Sequence, residues 1–147
     1  MFAVLSVAIL ATLGVAIVGW FRPLPPKPLV YTSQQVADAK AKVCAAFEQV
    51  RAAVRVTSSG DRGSDYVTQL ATAVDARQGL VAGGQYLITI LDDQPATSAD
   101  ISTDTRALAR SYQLAALEYM AGKSNTDVNP VIHAADDAAS NLEKLCK

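Results

Sequence analysis

Hydrophobic positions follow two regimes along this chain. Residues 1–21, MFAVLSVAILATLGVAIVGWF, are apolar without period and carry no charged side chain. From Thr32 onward, apolar residues recur three and four apart, the signature of amphipathic helices. As a helix rising about 1.5 Å per residue, the first run spans about 30 Å, the thickness of a bilayer's hydrocarbon core. Trp20 and Phe21 close it and Arg22 follows, as at a membrane interface. Residues 1–21 therefore read as a single-pass transmembrane anchor. A cleaved signal peptide is the rival. It fits less well, because no basic residue precedes the run and VGWFRP offers no small-x-small cleavage site. No cysteine follows the run closely, which removes a lipoprotein. Ala8, Thr12 and Ala16 fall four apart and Gly19 continues their face. Small residues so placed let a second membrane helix approach closely.

Residues 22–31 form a linker. The stretch 22–32, RPLPPKPLVYT, holds four of the six prolines. Proline lacks the N–H that a helix needs, so an extended spacer is expected.

Residues 32–147 then read as four helices. Thr32 with Gln35 makes a capping box, and Val36, Val43, Phe47, Val50 and Val54 form the first apolar stripe. The glycine-containing TSSGDRGSD ends it. A second helix runs from about Asp65 to Leu91, with Tyr66, Leu70, Val74, Arg77, Val81, Gly84, Leu87 and Leu91 on one three-and-four stripe and Leu80 and Ile88 broadening the inward face. Gly83 and Gly84 lie inside it, each costing about 1 kcal/mol relative to alanine unless a close crossing or a kink compensates. A third helix, from about Ser98 to Ala121, is striped by Ile101, Leu108, Tyr112, Ala115 and Tyr119, with Gly122 closing it. Asn129 followed by Pro130 reads as the start of a fourth, with Val131, Ala135, Ala138, Leu142 and Leu145 inward. The fold expected is all-α: an N-terminal transmembrane helix plus an antiparallel four-helix bundle joined by loops of about 6–9 residues.

Composition narrows the function more than it names it. The chain has 147 residues and a net charge of −1, with half its residues apolar. That allows one domain plus an anchor, and gives no electrostatic footprint for nucleic acid.

The two cysteines bear on location. Cys44 lies in the lower half of helix 1 and Cys146 one residue from the end. In a simple up-down bundle these positions are neighbours, so a Cys44–Cys146 disulfide is expected; two independent buried thiols are the alternative. A disulfide implies an oxidising compartment. Arg22, Lys27, Lys40 and Lys42 all follow the apolar run, and by the positive-inside tendency alone they would place the domain in the cytoplasm. The cysteines outweigh these sparse charges, and the domain is expected on the extracytoplasmic, periplasmic side of the cell membrane. A basic extension before Met1 would remove the conflict.

YTSQQVADAKAKVCAAF, ARQGLVAGGQYL, the YMAGKSN turn and LEKLCK resemble the alanine- and proline-rich small single-pass envelope proteins of mycobacteria, over nearly all of residues 30–147. The resemblance implies an anchor, a proline-rich spacer and a helical extracytoplasmic domain with paired cysteines matching Cys44 and Cys146. It brings no established activity. Members commonly carry a proline-rich, basic tail ahead of the anchor, and no such stretch precedes the apolar run here.

No catalytic set stands out. His133 with Asp136 and Asp137 offers half of a metal site, but nothing else has ligand spacing, so a solvated helix face is the plainer reading. Asp92 and Asp93 read as loop solvation. There is no G-x-S-x-G, phosphate loop or C-x-x-C. Tyr66, Tyr86, Tyr112 and Tyr119 are candidates for an interface or for core positions with the hydroxyl at the rim. No cofactor, metal or enzymatic activity is expected. The function expected is a non-enzymatic accessory subunit, tethered by the lipid bilayer anchor to the outer side of an integral membrane protein complex of the envelope. The alternative is an extracytoplasmic module that binds lipid or another ligand between its helices, near Gly83 and Gly84. A secreted bundle after signal cleavage is a third possibility.

Overall fold

Four helices carry the three-and-four spacing: α1 (Ser33–Ser59), α2 (Tyr66–Asp93), α3 (Ala99–Met120) and α4 (Asn125–Leu145). The structure, a computed structural model, describes residues 30–59 and 65–147. Among these there is no strand, and no helix is long and apolar enough to cross a membrane. The apolar run 1–21, most of the linker and Ala8, Thr12, Ala16 and Gly19 lie outside the described residues.

Local chemistry sets most of the helix ends. At the start of α1, Thr32 Oγ1 accepts from the Gln35 amide at 3.2 Å and Gln35 Oε1 accepts from the Thr32 amide at 2.8 Å. That is the expected capping box, with each side chain satisfying the other residue's free N–H. Asp65 caps α2 through the Thr68 amide at 2.9 Å. Gly122, at φ 78°, follows α3 in the left-handed conformation that glycine adopts without steric cost.

The start of α4 differs from the expectation. Ser124, not Asn129, is its cap, in a reciprocal capping box with Asp127. Pro130 therefore sits inside the helix. It lies one turn in, where it removes a single hydrogen bond to the Thr126 carbonyl. Ser-x-x-Asp satisfies two orphan donors, and that outweighs the proline as a start signal. The loop before α4 shrinks accordingly, and Val128 becomes fully buried.

Successive helices run antiparallel. On α1 and α2, Thr57 faces Gly79 and Val50 faces Gly83. On α2 and α3, Gly84 abuts Ala109 while Arg106 reaches Asp92 at 3.8 Å. The start of α3 and the end of α4 share a groove. One core includes Val43, Phe47, Leu87, Leu108, Tyr112 and Leu142, drawn from all four helices. Each fully buried large aliphatic or aromatic side chain contributes about 1.5–3 kcal/mol. Alanines 46, 109, 115, 116, 135 and 138 are also buried and keep the helices close.

The extensive interfaces are α1–α2, α2–α3 and α3–α4, while α1 and α4 touch only slightly. The first half of α2 consequently departs from the expected stripe. Tyr66, Leu70, Val74 and Val81 are exposed (77, 48, 38 and 43 %), and so is Val36 near the start of α1. The α2–α3 contacts place the end of α3 about level with residue 75 of α2, so Tyr66 and Leu70 have no neighbour on that side, while Val74 and Val81 lie on the side of the helix away from Leu80, Leu87 and Leu91.

Candidate functional site

The corner where α1 meets the end of α4 concentrates the chemistry. Cys44 and Cys146 are joined in a disulfide across 102 residues of sequence, with Cα atoms 5.6 Å apart. Neither thiol is left free. Each cysteine is half-buried, and Cys146 packs against the core. A chain end otherwise frays, and here it is tied to the middle of α1.

An ion cluster stands beside this link. Arg51 Nη1 donates to Glu143 Oε2 at 2.9 Å, and Lys147 Nζ lies 3.2 Å from Glu143 Oε1. The carboxylate thus bridges α1 to the last residue of the chain. The Lys147 ammonium, then the Arg51 guanidinium, hold the Glu143 carboxyl below its ordinary range. Arg51 also lies 5.9 Å from the centre of the Phe47 ring, within cation–π distance. Sequence reading left Arg51 unassigned, yet the signal was present. Arg51 is seven residues after Cys44, and Glu143 three before Cys146. Given an antiparallel disulfide, both partners fall on the linked faces one to two turns away.

Next to the corner, Asp100, Thr103 and Asp104 of α3 and Asn141, Lys144 and Leu145 of α4 line an open groove of about 390 Å³. It mixes charge signs and contains no nucleophile paired with a base.

The other sequence candidates separate. His133 is exposed, and its Nε2 lies 3.1 Å from Asn129 Nδ2. Among the described residues, no group of three or more His, Cys, Asp or Glu could hold a metal ion. Asp92 pairs loosely with Arg106 at 3.8 Å. Tyr112 is buried, and desolvation, then the Asp136 charge, push its hydroxyl above the ordinary range, while Arg51 opposes them. Tyr119 is packed against the core, whereas Tyr66 and Tyr86 are exposed.

Gly83 and Gly84 mark a close crossing. A Cβ on Gly83 would lie 2.7 Å from Val50 Cγ1. One on Gly84 would lie 2.9 Å from the Ala109 carbonyl oxygen and 2.9 Å from Gln113 Cγ. The pair lets α2 approach α1 on one side and α3 on the other, and protein atoms occupy the space beside both glycines.

Comparison with protein-family models, with curated proteins and with solved structures found no match.

Proposed function

We propose that this chain is a non-enzymatic accessory subunit, held by residues 1–21 at the outer side of a membrane protein complex of the cell envelope. The observation that carries the reading is the Cys44–Cys146 disulfide. Such a link forms and persists in oxidising compartments and is rare in the cytosol. It supports an extracytoplasmic domain over the placement suggested by Arg22, Lys27, Lys40 and Lys42. The uncharged length of residues 1–21 supports a bilayer anchor. The small residues Ala8, Thr12, Ala16 and Gly19 supply the face on which a membrane helix of the complex would pack. In this reading the domain is an antiparallel four-helix bundle whose tail is stapled to α1. The likeness to the mycobacterial alanine- and proline-rich envelope proteins belongs to the same proposal. A lipid-binding module has less support, because Val50, Ala109 and Gln113 fill the space beside the two glycines.

The test is purification of the tagged full chain from membranes in mild detergent, read by intact mass after thiol alkylation with and without reduction. Residues 1–21 retained, both cysteines blocked until reduced, and a defined set of co-purifying membrane proteins are expected. Free thiols before reduction would move the domain to the cytoplasm. Recovery of the chain alone in every detergent would end the accessory-subunit reading.

A further inference from the structure

The outer face of α2 carries a regular seam that the domain itself does not cover. Val67, Val74, Val81 and Ile88 recur every seventh residue. Ala71, Gln78 and Gln85 fall between them, so the spacing alternates four and three over three heptads. Every member but Ile88 is exposed, including Val67 at 73 %, and Ile88 is only half-buried. A helical wheel puts this line about 135° from the side that buries Leu80, Gly83, Leu87 and Leu91. The core accounts for Ile88, which packs against it, but not for Val67, Val74 and Val81. Asp75 and Arg77 are the only charges between Tyr66 and Leu91, and both lie to the sides of the line.

We infer that this seam pairs with the same seam of a second copy, forming a two-stranded coiled-coil contact between α2 helices. Three features select a second copy. A strict seven-residue repeat matches a helix with the same repeat, and a two-fold interface must be self-complementary. Between Val67 and Ile88 the line bears no charge, and Asp92, the next position of the repeat, already faces Arg106 of α3 at 3.8 Å. Its extent is also adequate. About 30 Å of helix contact, bordered by the exposed Leu70 of α2 and Leu117 of α3, gives on the order of 700 Å² per copy, near the roughly 800 Å² of a stable interface. Leu117 follows Gln113 by one turn on the edge of α3 that meets Gly84, so it extends the same surface.

In parallel pairing each position of the line meets its own counterpart across the two-fold axis. Val67, Val74, Val81 and Ile88 meet their counterparts in β-branched layers. Gln78 and Gln85 meet amide to amide, fixing the register.

The experiment measures the mass of the full disulfide-bonded chain in detergent, by light scattering and sedimentation from about 1 to 100 µM. A dimer is expected. Val74→Glu with Val81→Glu sets two like charges in each copy against each other in a dry seam, and is expected to raise the dimer Kd at least about 100-fold with helix content unchanged. Both sites are solvent-exposed within one copy, so the fold survives the change. Val74→Cys alone is expected to form a disulfide-linked dimer on mild oxidation. A monomer throughout the range, or a dimer indifferent to the double substitution, overturns the inference. A dimer that is broken by the charges but not linked by Val74→Cys overturns the parallel direction.

Discussion

Gly83 of α2 lies against Val50 of α1, with 2.7 Å between Val50 Cγ1 and the position a Cβ would take. A glycine in a helix interior costs about 1 kcal/mol of propensity. The structure recovers it by bringing two helices close enough to seal the core at Val50 and Tyr112.

Gly83→Ala is therefore expected to destabilise despite its better helix propensity. Val50 is β-branched and buried, so it cannot swing aside. Overpacking of this kind costs about 1–3 kcal/mol, leaving, after the propensity gain of about 1 kcal/mol, a net loss of up to about 2 kcal/mol by denaturant unfolding. Combining it with Val50→Ala should cost less than the sum of the two single changes. Strict additivity would show that the two sites do not touch.

The disulfide is expected to be the largest single stabilising link. Cys44→Ala with Cys146→Ala should lower stability by about 2–4 kcal/mol, and the thermal midpoint by about 10 °C or more. Hydrogen exchange should locate the extra opening in the last turns of α4, which α1 otherwise touches only slightly. Uniform loss of protection across all four helices would contradict the pinning role.

Pro130→Ala is expected to stabilise. The proline sits inside α4 and leaves the Thr126 carbonyl without its helical partner. Restoring the N–H should contribute about 1–3 kcal/mol. Ser124→Ala should act in the opposite sense by about 1 kcal/mol, because it removes the cap. Thermal melts of both variants decide whether α4 begins at Ser124.

Acid should weaken the fold through carboxylates outside the core. Hydrogen bonds from Ser124 hold the Asp127 carboxyl below its usual range, and hydrogen bonds from Thr68 do the same for Asp65. Glu143 is lowered by Lys147 and Arg51. A depressed folded-state pKa contributes stability above the unfolded value, lost as pH falls through the folded one. Stability should thus be flat near neutrality and decline below the ordinary carboxylate range. Asp127→Asn should flatten that decline. Glu143→Gln should also reduce the salt sensitivity of the melt, since the Arg51–Glu143 pair is partly exposed and screened.

Basic pH has a smaller counterpart. The Glu118 carboxylate raises the Lys123 ammonium above its ordinary value. The sign is reversed here: this contribution is complete below the unfolded lysine pKa and is lost as pH rises through the folded one. Lys123→Met should remove that alkaline slope and slightly flatten the acid limb, because the Lys123 charge also helps to hold Asp127 low.

Several features were legible from short-range chemistry alone. Thr32 with Gln35, Asp65 and Gly122 bound helices where the sequence signals put them. Caps and turns depend on residues three or four apart, so the chain states them directly. The spacing of Val43, Phe47, Val50, Leu87, Leu108 and Leu142 likewise marked core positions, because a helix repeats its faces whatever it packs against. The pairing of Cys44 with Cys146 followed once four antiparallel helices were assumed.

Tertiary structure decided the rest. Periodicity marks an apolar face but neither which way the helix turns it nor whether a neighbour is long enough to cover it, so Tyr66, Leu70 and Val74 read as core and stand in solvent. Two adjacent start signals, Ser124 with Asp127 and Asn129 with Pro130, competed for α4, and Val128 burying itself favours the earlier one. Arg51 and Glu143 are 92 residues apart, and only the packed register of α1 and α4 makes them partners. Gly83 and Gly84 announced a close approach, but the atoms that fill it, Val50 on one side and Ala109 on the other, belong to two different helices. A sequence by itself determines local geometry because the groups that decide it are close in the chain. Contacts made across helices depend on lengths and registers that exist only after the helices meet.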